Sequence, residues 1–202
     1  LCTTRNIPRS KELLECKKKH PNNLEILELD LLEENSENNL SELLSDQPID
    51  IVINNAGVGN SNQQFGVVSS KPWLEVLKVN LIAPLAVTQS VIENIKKGSG
   101  KKIYFLSSQL GSIEDNTTGG MYIYRSSKTA LNQVVKSLSV DLKPMGITVI
   151  SLHPGWVKTD MGGPNAPVSI DESVEGMIKV IDTTDIKDTG KFLNYERREL
   201  PW

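Results

Sequence analysis

The chain has 202 residues, 38% of them hydrophobic and 23% charged, which suits one ordinary globular domain rather than a disordered or fibrous chain. A net charge of −3 and a sequence pI near 5.5 exclude a generally basic nucleic-acid binder, and no apolar run is long enough to span a bilayer. Cys2 and Cys16 form no CxxC pair and are too few to staple a secreted fold, so a reduced, cytoplasmic setting is expected; with only His20 and His153, no metal site is expected.

In chain order, strand-like and helix-like segments alternate. Leu1–Thr4 is short and β-prone, and Pro8–Lys19 reads as a helix with Leu13, Leu14 and Cys16 on one apolar stripe. Leu24–Leu31 alternates apolar and acidic residues like a strand, Asn35–Asn39 reads as a solvated loop, and Leu40–Leu44 as a short helix. Asp50–Ile53 is an apolar burst running into Asn54-Asn55-Ala56-Gly57. From Pro72 to Lys97, residues such as Trp73, Val76, Leu77, Leu81, Leu85 and Ile95 recur at roughly helical spacing, predicting a long helix. Lys102–Leu106 is a strand, Tyr122–Lys143 a second long helix, and Ile147–Leu152 a strand stopped by Pro154-Gly155. Ile170–Ile181 looks helical and Gly190–Tyr195 is a last strand. Short apolar strands separated by helices imply parallel crossovers. The expected fold is therefore one α/β domain over residues 1–202, with a doubly wound, mostly parallel sheet.

Several residues suggest chemistry, each beside a plainer reading. Tyr124 and Lys128 stand four apart in a helix and so leave the same face. The plain reading is a surface tyrosine packed on a lysine stem; the chemical one is a phenol whose proton is easier to lose beside an ammonium. Ser108 follows the strand Lys102–Leu106, where open α/β sheets place their ligands, though Ser-Ser-x-x-Gly is also a turn sequence. Asn54-Asn55-Ala56-Gly57 is either a tight turn or a place where backbone approaches a ligand. Asn80 lies mid-helix between Val79 and Leu81, and is either a satisfied core residue or a water-holding one.

Taken together, Asn54-Asn55-Ala56-Gly57, Asn80, Ser108, Tyr124-x-x-x-Lys128 and Pro154-Gly155 have the order and spacing of the short-chain dehydrogenase/reductase family, which the whole chain resembles. Residues 125–132, 139–144 and 152–163, with the ending Glu199-Leu200-Pro201-Trp202, resemble its C-factor/Sniffer branch of carbonyl-reductase-like proteins. The resemblance implies a Rossmann-like fold and reduction of an aldehyde, ketone or quinone to an alcohol. It makes Tyr124 the general acid/base and, with Lys128, a cofactor-binding residue, Lys128 the residue that lowers the tyrosine's pKa and binds nicotinamide ribose, Ser108 the holder of the carbonyl, and Asn80 the holder of a relay water. Asn54, Ala56 and Gly57 would border the adenosine ribose, Asp30 and Leu31 the adenine, and Pro154, Gly155, Val157 and Thr159 the nicotinamide.

Charge bears on the cofactor. After the second family strand the chain reads Thr3-Thr4-Arg5-Asn6, with a guanidinium and no acid; Arg5 is either a solvated surface residue or a partner for a 2′-phosphate, and with the resemblance it points to NADP(H). The family's first strand and its Thr-Gly-x-x-x-Gly-x-Gly turn have no counterpart. The expectation is an N-terminally incomplete chain, short by about 25 residues at ordinary element lengths, with a gap in mid-sheet. A rival expectation is a signalling or binding factor that has lost the dinucleotide site. The loop between Thr159 and Ser169 has few large apolar residues, which predicts an open pocket for small-molecule carbonyls. The two long helices resemble those that pair family homodimers and homotetramers, and neither nucleic acid nor membrane is an expected partner.

Overall fold

The computed structural model describes residues 1–33, 38–59 and 63–202. Among the described residues six strands and seven α-helices follow one another: β1 (Cys2–Thr4), α1 (Lys11–Lys19), β2 (Ile26–Glu28), α2 (Asn38–Leu44), β3 (Ile51–Asn54), α3 (Ser70–Leu77), α4 (Ala83–Ser90), α5 (Ile92–Lys97), β4 (Lys102–Leu106), α6 (Tyr122–Leu142), β5 (Thr148–His153), α7 (Ile170–Thr183) and β6 (Phe192–Asn194). All named pairings are parallel. They form two ladders, β1-β2 and β3-β4-β5-β6, with no strand pairing between them among the described residues.

The sheet is covered on both faces because successive residues of a strand point opposite ways. Ile103, Phe105 and Val149 join Val91, Ile95, Leu131 and Val135 in one core. Their neighbours Tyr104, Ile150 and Leu152 join Val180 of α7 and Leu193 of β6 in another. This is why β4 and β5 read as unbroken apolar runs rather than alternating ones. Ile51 and Ile53 of β3 stay exposed, having no strand beside them on that side among the described residues.

Several elements differ from their predicted form for local reasons. The segment from Pro72 to Lys97 is not one helix. Between α3 and α4, residues Lys78–Ile82 form a π-helical turn, closed by the Ala83 N–H on the Lys78 carbonyl five residues back. Pro84 has no N–H to offer the Asn80 carbonyl, so the regular four-residue bond is lost there and the wider turn accommodates it. A second break comes at Val91, whose ψ of 9° departs from helix.

The predicted strand over Leu24–Leu31 shortens to β2 because Asp30 turns the chain: its Oδ1 accepts from Leu32 N–H at 2.9 Å and its carbonyl from Glu33 N–H at 3.2 Å. In Pro8–Lys19, Pro8 lies in a short 3₁₀ turn (Ile7–Arg9), and Ser10 separates that turn from α1. The loop predicted at Asn35–Asn39 falls partly outside the described residues, and Asn38 and Asn39 instead open α2.

Candidate active site

Every strand that precedes a candidate residue delivers it at its carboxyl end, on the edge where open parallel sheets bind ligands. Arg5 follows β1, Asp30 and Leu31 follow β2, Asn54–Gly57 close β3, Ser108 follows β4, and Pro154–Thr159 follow β5.

The centre of the site forms where β4 meets the first turns of α6. Lys128 is 4% exposed and donates to the carbonyl of Leu106, the last residue of β4, at 2.8 Å. Its other two N–H groups have no partner among the described residues. The ammonium lies 5.8 Å from the centre of the Tyr124 ring. Ser108 sits two residues beyond β4, buried, with its Oγ accepting from Leu110 N–H at 3.2 Å.

Gly111 makes this closeness possible. A Cβ there would come within 2.9 Å of the Lys128 backbone and Cβ, so only glycine lets the Ser108 turn lie flat on α6.

Burial decides the electrostatics. Desolvation lowers Lys128 to about 8, and it raises the Tyr124 phenol above its ordinary value against the opposing pull of a hydrogen bond with Ser108. In this structure burial sets the direction of the Tyr124 shift, and the Lys128 ammonium is engaged with the β4 carbonyl. The plain reading of a surface tyrosine on a lysine stem is replaced, since the lysine is buried.

Asn80, fully buried in the π-helical turn, is a satisfied core residue. Its Oδ1 accepts from Val58 N–H at 2.8 Å, and its Nδ2 donates to Val58 O at 2.9 Å and to Ser127 Oγ at 3.0 Å. These bonds pin the segment after β3 over Lys128. A Cβ on Gly57 would lie 3.5 Å from Lys128 Nζ and 3.6 Å from Asn80 Oδ1, so glycine keeps clear the space beside the ammonium. Asn54 donates to Thr88 Oγ1 at 3.2 Å, and Ala56 is exposed.

The remaining candidates stand apart from this centre. Arg5 and Asp30 line a cleft of about 210 Å³ with Glu28, Leu29, Glu33, Leu40 and Leu43, while Leu31 does not line it. Beyond β5, the Pro154 carbonyl accepts from Ser173 Oγ of α7 at 2.6 Å. Gly155 has φ +90°, and its missing Cβ admits the Tyr195 ring. Val157 bridges to Val168, and the Thr159 Oγ1 accepts from Gly162 N–H at 3.2 Å.

Two supporting residues escaped sequence reasoning. Asn132, one turn beyond Lys128, accepts from Ser107 and Ser151 hydroxyls, each at 2.7 Å, and donates to Gly111 O at 3.3 Å. It ties the ends of β4 and β5 and the Ser108 turn to α6. Its signal was present, since Tyr124, Lys128 and Asn132 share one helical face at successive four-residue steps. Gln63 Oε1 accepts from Tyr124 N–H at 2.8 Å, and its carbonyl accepts from Tyr122 N–H at 3.2 Å. Nothing in the sequence marks that contact. Among the described residues no cluster of three or more His, Cys, Asp or Glu is placed to hold a metal, and no helix is long and apolar enough to cross a membrane.

The donor set at the centre suits a dinucleotide's ribose hydroxyls: an ammonium with two unspent N–H groups lies beside Gly57, where no side chain intervenes.

A family model described as short chain dehydrogenase matches residues 2–167. The C-signal of Myxococcus xanthus is 41% identical over 155 residues, covering 77% of this chain and 93% of that protein. The carbonyl reductase Sniffer of D. melanogaster superposes with a TM-score of 0.94 at 39% identity, over 99% of this chain and 86% of that one. An NADPH-bound carbonyl reductase from chicken fatty liver gives 0.90 at 36% identity, over 100% of this chain and 86% of that one.

His153, which ends β5 just before Pro154, has a buried Nδ1 without a partner, and burial lowers it to about 4 from 6.5. The unfolded chain thus binds this proton more readily. Stability is full above pH 6.5 and falls as pH drops from 6.5 towards 4, by up to about 3 kcal/mol from this residue. Urea titrations across that window are expected to show the loss, and to show a shallower one for His153→Leu. Parallel profiles for the two proteins would contradict a histidine held neutral by the fold.

Proposed function

The chain belongs to the short-chain dehydrogenase family, and on that premise we propose that it is an NADPH-dependent carbonyl reductase with Ser108, Tyr124, Lys128 and Asn80 as its working residues. The observation that carries this reading is the buried Lys128 ammonium beside the Tyr124 phenol and Ser108, under a space that Gly57 leaves open. NADP-bound relatives of similar fold support the cofactor, among them a carbonyl reductase from Pseudomonas aeruginosa PAO1 in complex with NADP, at 28% identity and a TM-score of 0.86 over 99% of this chain and 86% of that one.

When bound, the reduced nicotinamide supplies the hydride. Ser108 Oγ donates to the substrate carbonyl oxygen and orients it. Tyr124, protonated at neutral pH like any phenol and pushed further that way by burial, gives its hydroxyl proton to that oxygen as negative charge develops there. Lys128 offers its two unspent N–H groups to ribose hydroxyls and places positive charge near the reacting oxygen. The side chain of Asn80 is committed to Val58 and Ser127, so a relay water would be held by its main-chain carbonyl, which Pro84 cannot bond. Arg5 is assigned to the 2′-phosphate, with Asp30 and Leu31 towards the adenine, Asn54 and Ala56 at the adenosine ribose, Gly57 between that ribose and the Lys128 ammonium, and Pro154, Gly155, Val157 and Thr159 at the nicotinamide. A second copy would pack on the outer faces of the long helices, where Leu74, Ile82 and Val140 are exposed.

Steady-state kinetics with NADPH and an aromatic aldehyde test the reading. Tyr124→Phe is expected to lower kcat by about a hundredfold to ten-thousandfold, the range for a lost general acid, with cofactor affinity unchanged. An unchanged rate would sink the enzyme reading and favour the binding-factor one. The pH profile of kcat/KM is expected to fall above about 8 as Lys128 loses its proton, and Lys128→Arg, whose charge persists, is expected to lack that limb.

Gly57→Val separates cofactor binding from folding. Its Cβ meets only ordinary contacts at 3.5 and 3.6 Å, so the fold is expected to survive while titrated NADPH no longer enhances its fluorescence on binding. Wild-type cofactor affinity in this variant would remove Gly57 and Lys128 from the dinucleotide site.

A further inference from the structure

Ser108 and Tyr124 are joined in sequence by residues 109–123, and two unrelated parts of the chain hold that connection in place. From α6, the Arg125 guanidinium donates to Leu110 O at 3.5 Å and to Thr118 Oγ1 at 2.9 Å. From the far side, three donors converge on one oxygen: the N–H groups of Ile113 and Glu114 reach Trp202 O at 3.0 and 3.2 Å, and Ser112 Oγ reaches it at 3.2 Å.

Trp202 arrives there by a folded-back path. After β6 the chain reverses at Asn194, whose Oδ1 accepts from Glu196 N–H and Arg198 N–H at 3.1 and 2.7 Å, and Arg197 takes φ +66° to complete the turn. Leu200 N–H then donates to Phe192 O at 2.8 Å. The indole stacks on the fully buried Phe192, with ring centres 5.5 Å apart and planes at 23°. Ring and carbonyl thus form one strut: the indole, itself 36% exposed, rests on Phe192 of β6, and the carbonyl meets residues 112–114. Ile113, strongly exposed, projects from that stretch.

We propose that Trp202 is a positioning residue that holds residues 112–114 as one wall of the substrate pocket, and so determines how well large carbonyl compounds bind. The inference rests on the carbonyl-reductase reading above. A small carbonyl engages Ser108 and Tyr124 without leaning on this wall, whereas a broad planar dione needs it.

The test uses the full chain with NADPH and two probes, diacetyl and phenanthrenequinone, alongside hydrogen exchange at residues 112–114. In Trp202→Ala, kcat/KM for phenanthrenequinone is expected to fall about tenfold, mainly through KM, a loss typical of one apolar pocket contact. Activity on diacetyl is expected to stay within about twofold of wild type, because that probe makes no use of the wall. The Ile113 and Glu114 amides are expected to exchange faster, and Trp202→Phe to restore both properties.

Equal losses on the two probes would show a merely structural role and overturn the proposal, as would unchanged selectivity with unchanged exchange. Wild-type protein inactive on both probes would instead overturn the carbonyl-reductase reading, and the pocket role with it. Should Trp202→Ala fail to fold, Ser112→Ala removes one of the three donors and is expected to give a smaller loss of the same selective kind; its absence would equally count against the strut.

Discussion

A lysine ammonium enclosed by protein, bonded to one backbone carbonyl and lying near the face of a phenol, is the arrangement around which the rest of the site is organised. Burying a positive charge is expensive, and a single carbonyl offsets only part of the cost. The cost is visible in Lys128 itself, whose proton affinity is lowered to about 8. Every neighbour can be understood as accommodating that charge. Gly111 lets the Ser108 turn lie against the lysine's own backbone, the Tyr124 ring offers its electron-rich face, and Gly57 leaves space where polar hydroxyls could complete the shell.

Buried polar side chains hold this arrangement. Asn80 clamps the segment after β3, and Asn132 gathers two serine hydroxyls and the Gly111 carbonyl. Each is buried with its hydrogen-bonding groups engaged, the condition under which a core amide rigidifies rather than destabilises. The π-helical turn belongs to the same scheme. Pro84 opens the helix where Asn80 has to reach Val58, so a local departure from regular geometry serves a contact far along the chain.

The sheet sets the frame for all of this. Parallel strands put every carboxyl end on one edge, so residues as distant as Gly57, Ser108 and Pro154 emerge on the same edge of the sheet. The two cores, one beneath α6 and one beneath α7, keep β4 and β5 rigid between them. The loops that carry chemistry therefore start from fixed points.

Some of this was legible in the order of residues. The four-residue step from Tyr124 to Lys128, the apolar bursts of β4 and β5 and the Pro154-Gly155 stop depend on neighbours in sequence, and periodicity reports such neighbours directly. Even the helix break had a local sign in Pro84, although only its relation to Asn80 and Val58 explains it. The direction of the Tyr124 shift, the commitment of the Asn80 side chain, the Gln63 contact and the reach of Trp202 to residues 112–114 were decided by the tertiary structure alone. Burial and long-range hydrogen bonds depend on which surfaces meet once the chain is folded. A residue's identity states which bonds it is able to make, and only packing selects its partner and removes the water that would otherwise compete.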